Sequence, residues 1–279
     1  MVKTIIPKNL AEALSELSKD KYRLVAGGTD MLIQNRNRAS LPIKYTENVM
    51  YIANIEELFG IEEGEEYISI GACESLEAIL ENDLTPKLLK ETILEMASPA
   101  IRHTGTLGGN IGNASPAGDS LVPLYLLNAI IELQSETATR TLRIQDFIQG
   151  VRKIDLADNE LITKIMISKL EFTKAYFKKV GPRLSDAISK LSFAGAITFF
   201  EEKIIDLRFA FGAVNTTVVR RPEIECLYIT KTKEELKASV DEIIEAYSKY
   251  IRPIDDQRSN KEYRKTVSIN LLRSFIEEL

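Results

Sequence analysis

Five of the fourteen glycines in this 279-residue chain fall between residues 105 and 118. They stand among small polar residues, in the order Thr104-Gly105-Thr106-Leu107-Gly108-Gly109-Asn110-Ile111-Gly112-Asn113-Ala114-Ser115-Pro116-Ala117-Gly118-Asp119. A loop this long and this rich in hydrogen-bonding residues is expected to do more than join two elements. It lacks the Gly-Lys-Ser/Thr end of a Walker A loop and the glycine spacing of a Rossmann turn. A phosphorylated ligand held in another way is the natural inference. Asp119 at its end suits either a hydrogen bond to a ribose hydroxyl or an N-cap for a helix beginning near Leu121.

A second glycine pair, in Gly27-Gly28-Thr29-Asp30, follows an apolar run over residues 22–26 and precedes Met31-Leu32-Ile33-Gln34. Paired glycines permit positive φ, so successive amides can face one concavity and hold an anion. A helix behind the pair would add its own unpaired amides. A plain strand-to-helix turn fits the same residues.

The rest of the chain reads as interspersed strands and helices. Leu10, Ala11, Leu14 and Leu17 recur at helical spacing, as do Leu88, Leu89, Thr92, Ile93 and Met96. Strands are expected at residues 22–26, 49–53, 140–144 and 161–167, with hairpins at 61–72 and 193–214. Leu236, Val240, Ile243, Ile244, Tyr247 and Ile251 predict a helical C-terminal section. There is no regular βαβ rhythm, so the pattern indicates α+β. The change of character near residue 170 suggests a boundary there.

Composition narrows the function classes. The chain is 44% hydrophobic and 28% charged, with a net charge of −5, which gives no basic footprint for nucleic acid. No segment predicts a membrane span, and a cytoplasmic location is expected. Two distant cysteines, Cys73 and Cys226, and one histidine, His103, are too few for a disulfide framework, a zinc site or an iron–sulfur cluster. Both cysteines are expected to be buried small hydrophobes.

Leu24-Val25-Ala26-Gly27-Gly28-Thr29-Asp30-Met31, paired with Thr106-Leu107-Gly108-Gly109-Asn110 and closed by Ala114-Ser115-Pro116 and Asp119, resembles the FAD-binding medium subunit of the molybdenum hydroxylases. That group includes xanthine dehydrogenase and carbon monoxide dehydrogenase. The resemblance continues through Glu160-Leu161-Ile162, Phe177-Lys178-Lys179-Val180-Gly181-Pro182-Arg183 and Pro253-Ile254-Asp255-Asp256-Gln257-Arg258, followed by Glu262-Tyr263-Arg264. It implies a vanillyl-alcohol-oxidase (PCMH-type) FAD-binding fold: two α+β subdomains over about residues 1–55 and 56–170, then a C-terminal α+β domain, 171–279, with an antiparallel sheet and helices. By the same resemblance FAD is bound non-covalently. Val25, Ala26, Gly27, Gly28, Thr29, Asp30 and Met31 form one contact segment, and Thr106, Leu107, Gly108, Gly109 and Asn110 form the other. Asp119, Ile162 and Lys179 also match family positions at the cofactor, and Met96 stands where a relative places Phe.

The resemblance further implies electron entry from a partner 2Fe-2S subunit, a molybdopterin-binding large subunit for substrate oxidation, and exit to NAD or another acceptor. No catalytic or metal-binding residue is expected on this chain. Pro182-Arg183-Leu184-Ser185 is less basic than the usual Arg-Arg pair, and His103 replaces a frequent Asn. His103 is read as a polar residue flanking the glycine segment. Lys179 either places positive charge near the flavin or carries its head in water. A self-contained flavin oxidoreductase of the same fold, and a non-catalytic nucleotide-binding module, are the competing functions.

Overall fold

A computed structural model describes residues 2–37, 41, 45–184 and 186–279, so Ser185 lies outside the described residues. In chain order the elements are β1 (Thr4–Ile5), α1 (Leu10–Leu17), β2 (Arg23–Val25), α2 (Thr29–Gln34), β3 (Val49–Tyr51), β4 (Ile61–Glu63) and β5 (Tyr67–Gly71). Next come α3 (Leu76–Glu81), α4 (Lys87–Leu94), α5 (Pro99–Arg102), α6 (Leu107–Asn113), α7 (Leu121–Leu126), β6 (Ile130–Gln134) and β7 (Thr139–Arg143). They are followed by α8 (Ile144–Phe147), β8 (Ile148–Gly150), β9 (Lys153–Ile154), β10 (Leu161–Ser168) and β11 (Lys174–Val180). The remainder is β12 (Leu191–Phe200), β13 (Lys203–Gly212), β14 (Val219–Arg220), α9 (Pro222–Glu225), α10 (Lys233–Ala238), α11 (Val240–Ser248) and α12 (Lys261–Glu277).

These elements pack as two units, one of Met1–Thr85, Ala97–Ala114 and Ala129–Ser168, the other of Pro86–Met96, Ser115–Asn128 and Lys169–Leu279. In the first unit β1, β3 and β2 form a parallel sheet in that order. Parallel neighbours require crossovers, and α1 and α2 supply helical ones. Asn9 starts α1 by accepting from the Glu12 amide, and Leu14 and Leu17 bury its apolar face beside Tyr22, Met50 and Ile52. The same unit holds an antiparallel sheet ordered β4-β5-β10-β6-β7. The β4–β5 hairpin exposes its acidic tip, as the run Glu62-Glu63-Gly64-Glu65-Glu66 leads one to expect.

The second unit is built on the antiparallel sheet β11-β12-β13-β14. Alternation sorts its two faces. Phe193, Phe209 and Phe211 point to one side, where they meet Tyr247 of α11 and Phe275 of α12 with ring centroids 5.0–6.5 Å apart. Their complete burial contributes about 1.5–3 kcal/mol per side chain. On the same face Gly195 makes room for the Phe275 ring, 3.0 Å from where a Cβ would sit. On the opposite face, a Cβ at Gly212 would lie 2.6 Å from Val122 of α7, so glycine lets that helix settle onto the strand.

Two expectations are corrected. Residues 107–113 form a helix rather than a loop, although Gly108, Gly109 and Gly112 each disfavour one by about 1 kcal/mol relative to alanine. Thr106 caps it through the Gly109 amide, and packing against residue 72 decides the outcome. The apolar series 236–251 is helical, as expected, and is divided into two helices. A Thr232–Glu235 capping box starts α10, Ser239 closes it, and α11 begins anew at Val240. Cys226 is exposed, because it sits on a one-turn 3-10 segment outside the sheet, whereas Cys73 is buried and its thiol is pushed up to about 12 by burial.

Candidate functional site

In the first unit β2 delivers the chain to Gly27 and Gly28. Gly28 is left-handed, at φ 70°, and precedes α2. Gly27 is pressed against the second glycine segment, where a Cβ would lie 1.8 Å from the Thr104 carbonyl oxygen. Gly105 packs from the other side, with 3.5 Å between its ideal Cβ and Thr29 Oγ1. The amide hydrogens of Gly27, Gly28 and Thr29 find no acceptor among the described residues. Unpaired amides on a tight, side-chain-free bend suit an anionic group. Val25 and Met31 are buried on either side of the bend with Val49 and fix its ends.

The second segment is differently made. Thr106 pairs with Ser75 in an isolated bridge. The Leu107 and Gly108 amides donate to Glu74 and Ala72 carbonyls at 3.2 and 3.0 Å, and the Gly109 amide donates to Thr106 Oγ1 at 3.1 Å. A Cβ on Gly108 would lie 2.5 Å from the Ala72 oxygen, so this glycine serves close helix packing. Leu107 enters the core, while Asn110 stays half-buried. Ile162 lies beside a β-bulge in β10 and reaches α6, its Cδ1 being 3.7 Å from an ideal Cβ on Gly112.

Two polar contacts that hold these segments carry no sequence signature. Asn113 Nδ2 donates to Asp30 Oδ2 at 2.8 Å, and Gln34 Nε2 donates to Asn113 Oδ1 at 3.0 Å. Asp30 and Gln34 are four residues apart on one face of α2, so a single amide side chain at the end of α6 satisfies both. Arg102 Nε donates to Glu77 Oε2 at 2.6 Å, joining α5 to α3 just before Thr104. Neither partner could be chosen from spacing alone.

In the second unit Lys179 on β11 pairs with Asp119, Nζ to Oδ2 at 2.9 Å, with side chains only 4% and 7% exposed. The ammonium also donates to the Glu95 carbonyl at 2.8 Å. Ser189 Oγ donates to Asp119 Oδ1. Burial pushes the Asp119 carboxyl above the usual range, opposed by Lys179 and the serine hydroxyls. This arrangement overturns two simpler options: Ser120, not Asp119, occupies the N-cap of α7, and the Lys179 head is out of water. Met96, next to Glu95, is buried, its amide bonded to the Ile93 carbonyl. His103 is exposed at the end of α5. The first unit thus gathers the two glycine segments and Ile162, and the second gathers Asp119, Lys179 and the neighbour of Met96.

The chain is similar to known proteins over almost its whole length. The family model for the FAD binding domain in molybdopterin dehydrogenase matches residues 1–169, and that for the CO dehydrogenase flavoprotein C-terminal domain matches 175–279. A glyceraldehyde dehydrogenase medium chain from Sulfolobus acidocaldarius is 31% identical, covering 97% of this chain and 95% of that protein. The xanthine dehydrogenase FAD-binding subunit of Escherichia coli O157:H7 is 27% identical over 96% of this chain and 92% of its own length. Among solved structures, a cyanide-inactivated Cu,Mo-CO dehydrogenase superposes with a TM-score of 0.87 at 25% identity, covering 98% of this chain and 95% of that one.

Proposed function

The chain belongs to the FAD-binding medium subunits of the molybdenum hydroxylases, and we propose that it serves there as the electron-exit subunit. Its fold is the PCMH-type α+β fold, and its cofactor is FAD. The flavin, when bound, supplies the change between one- and two-electron transfer. This chain's own residues bind and orient it. The carrying observation is the bend at Gly27, whose open amides, with Thr29, suit the FAD pyrophosphate. Val25, Ala26, Gly28, Asp30 and Met31 shape that bend; Thr106, Leu107, Gly108, Gly109 and Asn110 back it; and Ile162 offers an apolar surface in the same unit. In the second unit Asp119, Lys179 and Met96 are assigned to the cofactor. We take 1–170 as the FAD-binding domain, subdivided near 55, and 171–279 as the second domain.

Electrons are proposed to enter from a partner 2Fe-2S subunit, which is fed by a molybdopterin-binding large subunit, and to leave to NAD or another acceptor. A cytoplasmic location is part of this reading; no helix among the described residues is long and apolar enough to cross a membrane. The names of the relatives span glyceraldehyde, carbon monoxide, xanthine, nicotinate and caffeine, so this chain does not fix the reducing substrate. The full chain purified alone should bind one FAD, and acid precipitation should release all the flavin into the supernatant. Failure to bind FAD, or colour retained in the pellet, contradicts the proposal.

A further inference from the structure

Lys179 stands where a cation would be expected to raise the potential of a nearby flavin. Its surroundings point to another role. Cross-strand pairing sets Lys179 opposite Ser192, on the sheet face that receives α4 and α7. From there the ammonium reaches the Glu95 carbonyl beyond the last turn of α4, where a cation complements the helix dipole. It also reaches Asp119, one residue ahead of the Ser120 cap of α7. Asp119 is held in turn by Ser189, which is fully buried just before β12. One buried network therefore ties the end of α4, the start of α7 and the segment leading into β12. An Asp119 carboxylate and a Lys179 ammonium 2.9 Å apart cancel in net charge.

We propose that Lys179 is a positioning residue: its neutral pair with Asp119, anchored by Ser189 and the Glu95 carbonyl, holds the chain at Met96 and Asp119 in the form that accepts FAD, and delivers no net charge to the cofactor. This rests on the FAD reading above and changes what Lys179 is for. Breaking one partner of a buried pair leaves the other uncompensated, whereas replacing both with neutral groups is far milder.

The test uses the full chain with FAD as titrant. K179Q and D119N each raise the FAD dissociation constant about tenfold or more, while D119N/K179Q recovers most of that loss. S189A, which leaves both charges in place, weakens binding by a few-fold. The midpoint potential of FAD bound to D119N/K179Q matches wild type. Thermal melting accompanies each measurement; if a single variant does not fold, S189A and the double variant carry the test. A marked fall in the double variant's potential overturns the proposal in favour of a bare cation. Wild-type affinity in the single variants, or no recovery in a well-folded double variant, overturns it as well. Absence of FAD binding by the wild-type chain instead removes the cofactor reading itself.

Discussion

Gly27 is where a single methyl group meets the strongest resistance. The atom it would strike, 1.8 Å away, is a backbone carbonyl oxygen, and no side-chain rotation relieves that contact. Gly27→Ala must therefore push the two glycine segments apart. The expected cost is about 1–3 kcal/mol of stability, with loss of measurable FAD binding. Gly60, whose ideal Cβ has nothing within 4 Å, offers a glycine-to-alanine control for global destabilisation, its own strain arising from φ 104°. Titration of both variants by flavin fluorescence separates the effects: only Gly27→Ala should lose FAD at a temperature where both are folded. Equal affinities would show that the bend is not the binding element. Residue identity announced the importance of Gly27 and Gly28, but the partner that forbids a side chain lies 77 residues onward and leaves no local trace.

Among elements, α6 departs furthest from its sequence. Three glycines in seven residues argue against a helix, yet the backbone of Ala72 presses so closely on Gly108 that only glycine fits. Tertiary packing overrides propensity there. Strongly patterned elements needed no such help: α1, the β4–β5 hairpin and the β12–β13 hairpin are all where alternation or helical spacing predicts them. What periodicity misses is the polar contact that sets one element against another. Asn113, clasping Asp30 and Gln34, is one such contact. Asn113→Ala should remove both bonds at a cost of about 1 kcal/mol, weakening FAD binding several-fold without altering the bound flavin's spectrum. Asn113→Asp, with a carboxylate opposite Asp30, should be worse at pH 7. Equilibrium titrations of both variants check the order, and equal affinities for wild type and Asn113→Asp would refute the role.

At the scale of the whole molecule, a redox chain of 279 residues contains two cysteines and one histidine, with Cys73 buried and Cys226 exposed. An iron–sulfur cluster held by protein thiolates requires more ligands than that. The proposed electron-exit role accordingly assigns substrate oxidation and electron delivery to other polypeptides. The FAD-loaded chain should therefore keep its flavin oxidised under anaerobic glyceraldehyde, carbon monoxide or xanthine, the compounds named in its relatives. It should bleach only when the iron–sulfur and molybdopterin chains are added with their substrate. Anaerobic absorbance before and after that addition decides the matter. Bleaching by substrate with this chain alone would make it a self-contained oxidoreductase, and would require a proton-accepting group at the flavin that neither the glycine bend nor the occupied Asp119–Lys179 pair provides.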